Sequence, residues 1–536
     1  MGTPMPLRKP TEPVYDKASP GVFLVEAAPA LEDLLASGGD RRLGLCEHDK
    51  RNSYGCTPFP RPTLLDFGSS TASSISQRAY ALVQVAQAQM WMAATLNGAE
   101  GPFDDHIEAQ RNTLRTQLDV AGAEVVFSPS GTDAQLQVLF LVKALLGAAL
   151  TTIIVGADQT GSGTAHTARG QHFSDCTSLG TQVEKGSPIA GLCEQVGTLG
   201  ISFCDEAGKL RTDAEMDAAV TAAVAGAVGR GEKILLQIMD ASKLGWRAPS
   251  AACMETIVAA WPDHVCVVVD ACQMRVGRPQ LKDYLARGYF VLVTGSKFFT
   301  GPAFSGALLV PGALAGAIDG IAAVPPGLGS YTTSHDWPRR WHRLRQALPV
   351  KPNYGQWLRW EATLVEMEAY FAVPREFRIG VLGALAARMP QMIAASPNLD
   401  LLAEQRGQSD PALSDEMRHP TIHAFVPQQA GQPLTPDRAA SLYRAMGRDL
   451  SRQLPGGDPV RGIAARICQI GQPVALRHRP GAALRLSASA RLVSGCWART
   501  TSIEEALAPV LADIGAVIEK LDWLITRPDI CESEAT

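Results

Sequence analysis

The sequence predicts an α/β fold: a mostly parallel sheet sandwiched by helices, followed by a smaller α+β domain. Three observations carry this. From about residue 75 to 310, short apolar strands alternate with helical stretches, the order expected of β-α-β units. One strand, Val265–Val269 (VCVVV), is a near-continuous β-branched run, which marks a strand covered by helices on both faces. Three strands end in turns carrying Ser, Thr, Gly, Asp or Lys, at the edge where open parallel sheets place ligands.

The elements follow in order. Residues 1–60 are rich in Pro and Gly, with weak periodicity, and read as an arm across the main body. Residues 76–97 and 104–119 read as helices, Glu124–Phe127 as a strand, and Ala134–Leu146 as an apolar helix after the turn SPSGT. Thr152–Val155 is a strand. Leu210–Ala227 is an alanine-rich helix that stops near Gly229 and Gly231. Lys233–Met239 is a strand, 250–260 a helix, and Val265–Val269, Phe290–Thr294 and Ala307–Val310 are strands that complete a large domain at 61–325. Near residue 326 the character changes to a Pro/Gly cluster and then TTSHDWPRRWHRLRQ. Residues 355–372 form a long helix, Thr421–Val426 and Ala483–Ser487 strands, and Ile503–Trp523 a closing amphipathic helix, within a smaller domain at 326–536. Leu402–Met417 and Gln428–Asp437 are polar and read as helix ends or loops.

Composition narrows the function classes. Hydrophobic residues make up 46% and charged residues 19%, so a sizeable core forms and wholesale disorder is excluded. Net charge is −4, from 49 basic and 53 acidic residues, which speaks against a globally basic nucleic-acid binder. No apolar run reaches the ~18 residues of a membrane span, and the start MGTPMPLRKPTEPVYD lacks the apolar core of a secretory signal. Gly2 is followed by Pro6, not Ser or Thr, so the myristoylation pattern fails. Eleven cysteines without a CxxC pair point to a reducing, cytoplasmic setting. The pairs His166/His172 and His419/His423 lack cysteines at zinc-finger spacing, so no metal is expected. The basic-aromatic run Trp337–Arg345 reads as a domain-junction or dimer-contact loop.

Three stretches carry chemistry. Ser128-Pro-Ser-Gly-Thr-Asp-Ala134 joins a strand to a helix; its backbone N–H groups and the helix N-terminus suit an anion, while Ser130 read alone is an ordinary cap. Asp270, at the tip of VCVVV, is a carboxylate that burial penalises unless it is paired. Lys297, in TGSKFFTGP after the next strand, sits between glycines and aromatics where desolvation makes an amine a usable nucleophile or base.

Together, SGTDA, VVVDACQ and TGSKFFTGP, with 27 residues between Asp270 and Lys297, resemble the pyridoxal-phosphate-dependent aminotransferase superfamily of fold type I, class V, the group of cysteine desulfurases and kynureninase. The resemblance spans about residues 65–525. It implies a seven-stranded-type sheet, pyridoxal 5′-phosphate as cofactor, and an active site at a homodimer interface. It implies that Lys297 forms the internal aldimine and that Asp270 keeps the ring nitrogen protonated, so that a carbanion is stabilised as a quinonoid. Gln273 is placed near the phenolic oxygen, Ser242 near the ring hydroxyl, and Gly131, Thr132, Thr294 and Ser296 at the phosphate. Arg485, in Leu-Arg-Leu-Ser, is placed on the substrate α-carboxylate, which a guanidinium fork suits.

Two positions depart from the pattern. Where such proteins stack an aromatic ring on the cofactor, this chain has Thr160, with His166 as an alternative. Cys468 falls about two residues from where one desulfurase group carries its nucleophile, and its own surroundings read as a buried structural cysteine. Arg169, Arg275 and Arg278 are candidates for a second anionic contact, and Tyr331, Thr332 and Thr333 for reaching a neighbour's phosphate. The expected activity is an aminotransferase on an amino acid or related amine. The alternatives are a lyase of the desulfurase or β-elimination type and a non-catalytic cofactor-binding module.

Overall fold

Side chains alternate between two faces along a strand, and this chain buries both. A computed structural model of the chain describes residues 29–532, except Ala99, Ala148, 405–406 and 408–415. The expectations for residues 1–28 of the arm and for most of Leu402–Met417 therefore lie outside the described residues. After a short first strand, β1 (Leu64–Asp66), seven strands build one sheet: β2 (Glu124–Ser128), β3 (Leu150–Val155), β4 (Val196–Ile201), β5 (Lys233–Met239), β6 (Val265–Asp270), β7 (Phe290–Thr294) and β8 (Gly306–Val310). Their order is β2-β8-β7-β6-β5-β3-β4. Only β8 runs antiparallel to its neighbours, β2 and β7; β7, β6, β5, β3 and β4 are parallel.

Register explains the apolar runs. Val267, Val269, Val291, Val293 and Leu309 face a core completed by Val220 and Val224 of the helix Asp213–Gly229. The alternate residues Val268, Phe290, Leu292 and Leu308 face a second core with Leu136, Leu139 and Phe140 of the helix Gly131–Leu146. A strand between two helical layers has no solvent face, so it needs no polar alternation. The edge strand β4 is different. Its sequence VGTLGI is half exposed and contains two glycines, so neither hydrophobicity nor propensity announces it. It was not expected from the sequence.

Two placements differ from the sequence reading. Trp337 and Trp341 are fully buried in the second core, on the large sheet. Arg339 and Arg345 pair with Asp104 at 2.9 and 2.6 Å, and Arg340 with Glu124 at 2.9 Å. The segment is therefore anchored by its tryptophans, with three of its four arginines paired, while Arg339, Arg340 and Arg343 stay on the surface. Tyr331, Thr332 and Thr333 are equally buried, and Asp336 accepts from the Thr332 hydroxyl at 2.8 Å, so these residues do not reach outward to a neighbour.

The smaller sheet is antiparallel. β9 (Leu399–Leu401) and β14 (Ala482–Ser487) flank β10 (Ile422–Gln429); β11 (Gln432–Pro433) pairs with the end of β10, and β13 (Gly471–Ala475) with β14. β12 (Ile467–Gln469) pairs in parallel with β1, tying the early segment to the late one. The arm is held by Arg359, on the helix Tyr354–Phe371. Its guanidinium is fully buried and donates to the carbonyls of Phe304 (2.8 Å), Leu35 (3.1 Å), Ser37 (2.5 Å) and Gly38 (3.0 Å). Among the described residues no helix is long and apolar enough to cross a membrane.

Arg359→Ala removes the donor from the carbonyls of Phe304, Leu35 and Ser37 and leaves Gly38 O only Asn353 Nδ2 at 3.2 Å. It is expected to cost about 3 kcal/mol or more, since hydrogen bonds to charged groups contribute ~1.5–3 kcal/mol each. Limited proteolysis should then cut between residues 35 and 45, and a wild-type digestion pattern would contradict this role.

Candidate active site

At one edge of the large sheet the parallel strands end and β8 begins, and there a cavity of about 400 Å³ opens. Asp270, the last residue of β6, is 8% exposed there. One carboxylate oxygen accepts from the Cys272 N–H at 3.2 Å and the other from Gln237 Nε2 at 3.4 Å. No cation among the described residues pairs with it. Lys297 follows β7 in a loop that closes on itself, with Gly295 N–H donating to Ser305 O (2.8 Å) and Gly301 N–H to Gly295 O (2.9 Å). Its side chain lines the same cavity, as does Ser296, and no hydrogen bond or ion pair to Lys297 Nζ is formed among the described residues.

One end of the cavity suits an anion. Gly131 and Thr132 open the helix Gly131–Leu146, whose first N–H groups lack intrahelical partners; Ser130 Oγ accepts from Asp133 N at 3.3 Å and leaves the earlier ones free. The approach is tight. A Cβ at Gly131 would lie 2.5 Å from Cys272 Sγ, and one at Gly306 2.5 Å from the Ser130 carbonyl carbon. Thr294 lines this end, but its hydroxyl donates to Cys272 O at 2.7 Å. Thr160 lines the cavity wall with its hydroxyl turned to Ala157 O at 3.1 Å. Arg42 reaches in from the arm, held by Asp40 at 2.6 Å and lying 3.4 Å from Ser130 Oγ. Asp133, behind the turn, is pushed up to about 7 by burial and by Asp40.

The other end belongs to the smaller sheet. Arg485 on β14 points into the cavity while its neighbours Leu484 and Leu486 join the core. It donates to Gln472 O (2.6 Å), Lys243 O (3.1 Å) and Thr71 Oγ1 (3.1 Å), and its Nε is buried without a partner. No carboxylate pairs with it among the described residues, and burial pushes it down to about 10. Lys243 lines the same end; burial, then Arg485 and Lys297, push its amine down to about 8. Ser242 Oγ accepts from Leu244 N (3.2 Å) and Trp246 N (3.1 Å), which leaves its proton to donate. Gln273 is committed at both ends, donating to Ser70 O (3.0 Å) and accepting from Arg275 Nη1 (2.8 Å).

No family model and no curated protein matches the chain by sequence. Among solved structures, a C-DES lysine-to-alanine mutant with glycine covalently linked to its PLP cofactor superposes with a TM-score of 0.50 at 14% identity, over 85% of this chain and 97% of that one. The chain has the fold of the fold type I pyridoxal-phosphate enzymes. A NifS-like protein (14% identity, TM-score 0.48, 86% and 99% covered) is also similar. So is the glutamate decarboxylase domain of a diaminobutyrate-pyruvate transaminase and L-2,4-diaminobutyrate decarboxylase from Vibrio parahaemolyticus (16% identity, 0.47, 85% and 79%).

Within this fold type I frame, all ten residues nominated from the sequence border one cavity. Several other expectations fail. His166 is not on the cavity wall and lies 3.8 Å from where a Gly186 side chain would begin. Cys468, by contrast, is buried in β12 as its surroundings predict, and burial pushes its thiol up to about 11. Arg169 is exposed, Arg275 is locked to Gln273 and Thr421, and Arg278 stacks 3.6 Å over the Phe371 ring, so none of the three faces the cavity. Residues missed include Lys243, Arg42, Tyr54 and Ser70. The only signal for Lys243 was its place after a strand, beside the Ser242 already chosen.

Gly131→Ala is expected to cost ~1–3 kcal/mol, the usual range for overpacking, because the new methyl meets Cys272 Sγ. Adding Cys272→Ala should restore most of that stability. Denaturant melts of the two single variants and the double variant read the coupling, and additive losses would contradict the contact.

Proposed function

We propose that the chain is a pyridoxal-phosphate-dependent aminotransferase acting on an amino acid or a related amine that bears a carboxylate. The observation that carries this reading is that an unpaired lysine, a buried carboxylate without a cation, a helix N-terminus and an arginine without an acid open onto a single cavity. Those groups fit the cofactor. The buried Asp270 has capacity for a cationic ring nitrogen, and the glycine-lined start of the helix leaves backbone N–H groups for a phosphate.

The bound cofactor supplies an electron sink that makes the proton on the amine-bearing carbon removable. The chain's own groups do the rest. Asp270 stabilises positive charge at the ring nitrogen, where low exposure strengthens the interaction. Arg485 Nε, buried and free, donates to the substrate carboxylate and fixes which bond faces Lys297. Lys297 Nζ takes the proton from the substrate carbon and returns it on the same side of the cavity, so one amine serves as base and then as acid. The elimination alternative uses the same first proton transfer. Its desulfurase form loses support because Cys468 lies outside the cavity. A homodimer is part of the proposal. On the helix Gln77–Asn97, Leu82, Val85, Met92 and Leu96 are 52%, 53%, 67% and 76% exposed at helical spacing, which supports a covered face.

Purified protein is expected to absorb at ~410–430 nm through the cofactor. Lys297→Ala should lose that band and lower turnover by roughly 10²- to 10⁴-fold; a variant that keeps the band would overturn the role of Lys297. Incubated with a panel of amino acids and an acceptor keto acid, the wild type should yield the matching keto acid without ammonia or sulfide. Ammonia or sulfide release would favour the lyase instead. Sedimentation velocity should give a dimer, and a monomer at micromolar concentration would remove that part of the proposal.

A further inference from the structure

The charges around the cavity do not balance for a substrate with one carboxylate. Four cations line it, Arg42, Lys243, Lys297 and Arg485, against one carboxylate, Asp270. Arg42 is neutralised by Asp40. Under the reading proposed above, Lys297 acts as a base and so counts as an uncharged amine, Asp270 faces the ring nitrogen, and the phosphate sits on the helix N-terminus. Arg485 and Lys243 remain, and one α-carboxylate compensates only one of them. A desolvated cation without a counter-ion is costly.

Position separates Lys243 from the phosphate. The groups around Gly131 and Thr132 are Cys272, Thr294 and Gly163. Lys243 instead follows β5, and its carbonyl accepts from Arg485 Nη1 at 3.1 Å, at the opposite end. No hydrogen bond or ion pair to its amine is formed among the described residues. This end is also polar: Ser70, Thr71 and Gln472 line it, and Ser70 Oγ is buried without a partner.

We propose that the substrate carries two anionic groups, an α-carboxylate held by Arg485 and a second carboxylate held by Lys243, so that Lys243 is a specificity-determining residue for a short acidic amino acid. This rests on the function proposed above. The residue was not among the arginines nominated for such a contact, and a lysine is suited to a single point contact on a mobile carboxylate, where Arg485 gives a planar grip.

Unreactive acids test it by binding alone. Titration calorimetry of the holoenzyme with succinate and glutarate, against butyrate and valerate, should show the diacids bound roughly 10- to 100-fold more tightly, the range expected for one charge-assisted contact. Lys243→Met should bring diacid and monoacid to within about threefold of each other, while Lys243→Arg keeps the preference; thermal melts and the cofactor absorption band report whether each variant is folded and loaded. Equal affinity for both classes in the wild type, or a preference that survives in Lys243→Met, would overturn the inference and leave the cofactor band, and with it the proposed function, standing. A protein that lacks the band but shows the diacid preference would do the reverse.

Discussion

A carboxylate at the tip of a strand buried on both faces is the constraint around which the rest is arranged. Asp270 ends β6 between β5 and β7, in the middle of the large sheet. Its oxygens have two neutral donors and, among the described residues, no cation. Such a group is tolerable in low dielectric only if positive charge stands opposite or the proton is retained. Four cations line the same cavity without pairing to it, from four separate parts of the chain: the arm, the loop after β5, the loop after β7 and strand β14 of the smaller sheet. Fold and site are therefore one problem, because the sheet fixes the acid and the two domains bring the bases to it.

The close approaches around Gly131 and Gly306 belong to the same logic. Either Cβ would meet its neighbour at 2.5 Å, Cys272 Sγ in one case and the Ser130 backbone in the other. The turn before the helix Gly131–Leu146 is thereby pressed against the end of β6 and the start of β8. This puts the positive end of the helix beside the cavity, where an anion is stabilised by backbone groups alone. The fully buried Arg359 clamps the arm next to this turn, so that Arg42 and Tyr54 complete the wall.

What was legible in the sequence depended on local pattern. The β-branched run of β6, the apolar β5 and β7, and the glycine-bearing turns at their ends are each decided by residues adjacent in the chain, and they yielded Asp270, Lys297, Gly131 and Thr132. The edge strand β4 was not legible, because a strand with one neighbour and an exposed face needs no apolar run. The segment Trp337–Arg345 was legible only in part for a related reason. Its composition resembles a contact surface, and only the three-dimensional positions of Asp104 and Glu124 show that Arg339, Arg340 and Arg345 are already paired. Lys243 was missed because one lysine in a loop has no periodicity; its meaning comes from Arg485, which lies 242 residues away.

The pairing of β1 with β12 carries a consequence for biosynthesis. Leu64 meets Ile467, so about 400 residues must be translated before this ladder can close. At the ribosome's ~5–20 residues per second that is a wait of roughly 20–80 s. During that interval Leu64–Asp66 and the cavity-lining Ser70–Ala72 behind it lack their late partners, including Gln469, which later binds Ala72 O at 3.1 Å. The nascent chain thus emerges with an unclosed mouth, and ligand loading on the ribosome is disfavoured until about the last eighth of the polypeptide arrives.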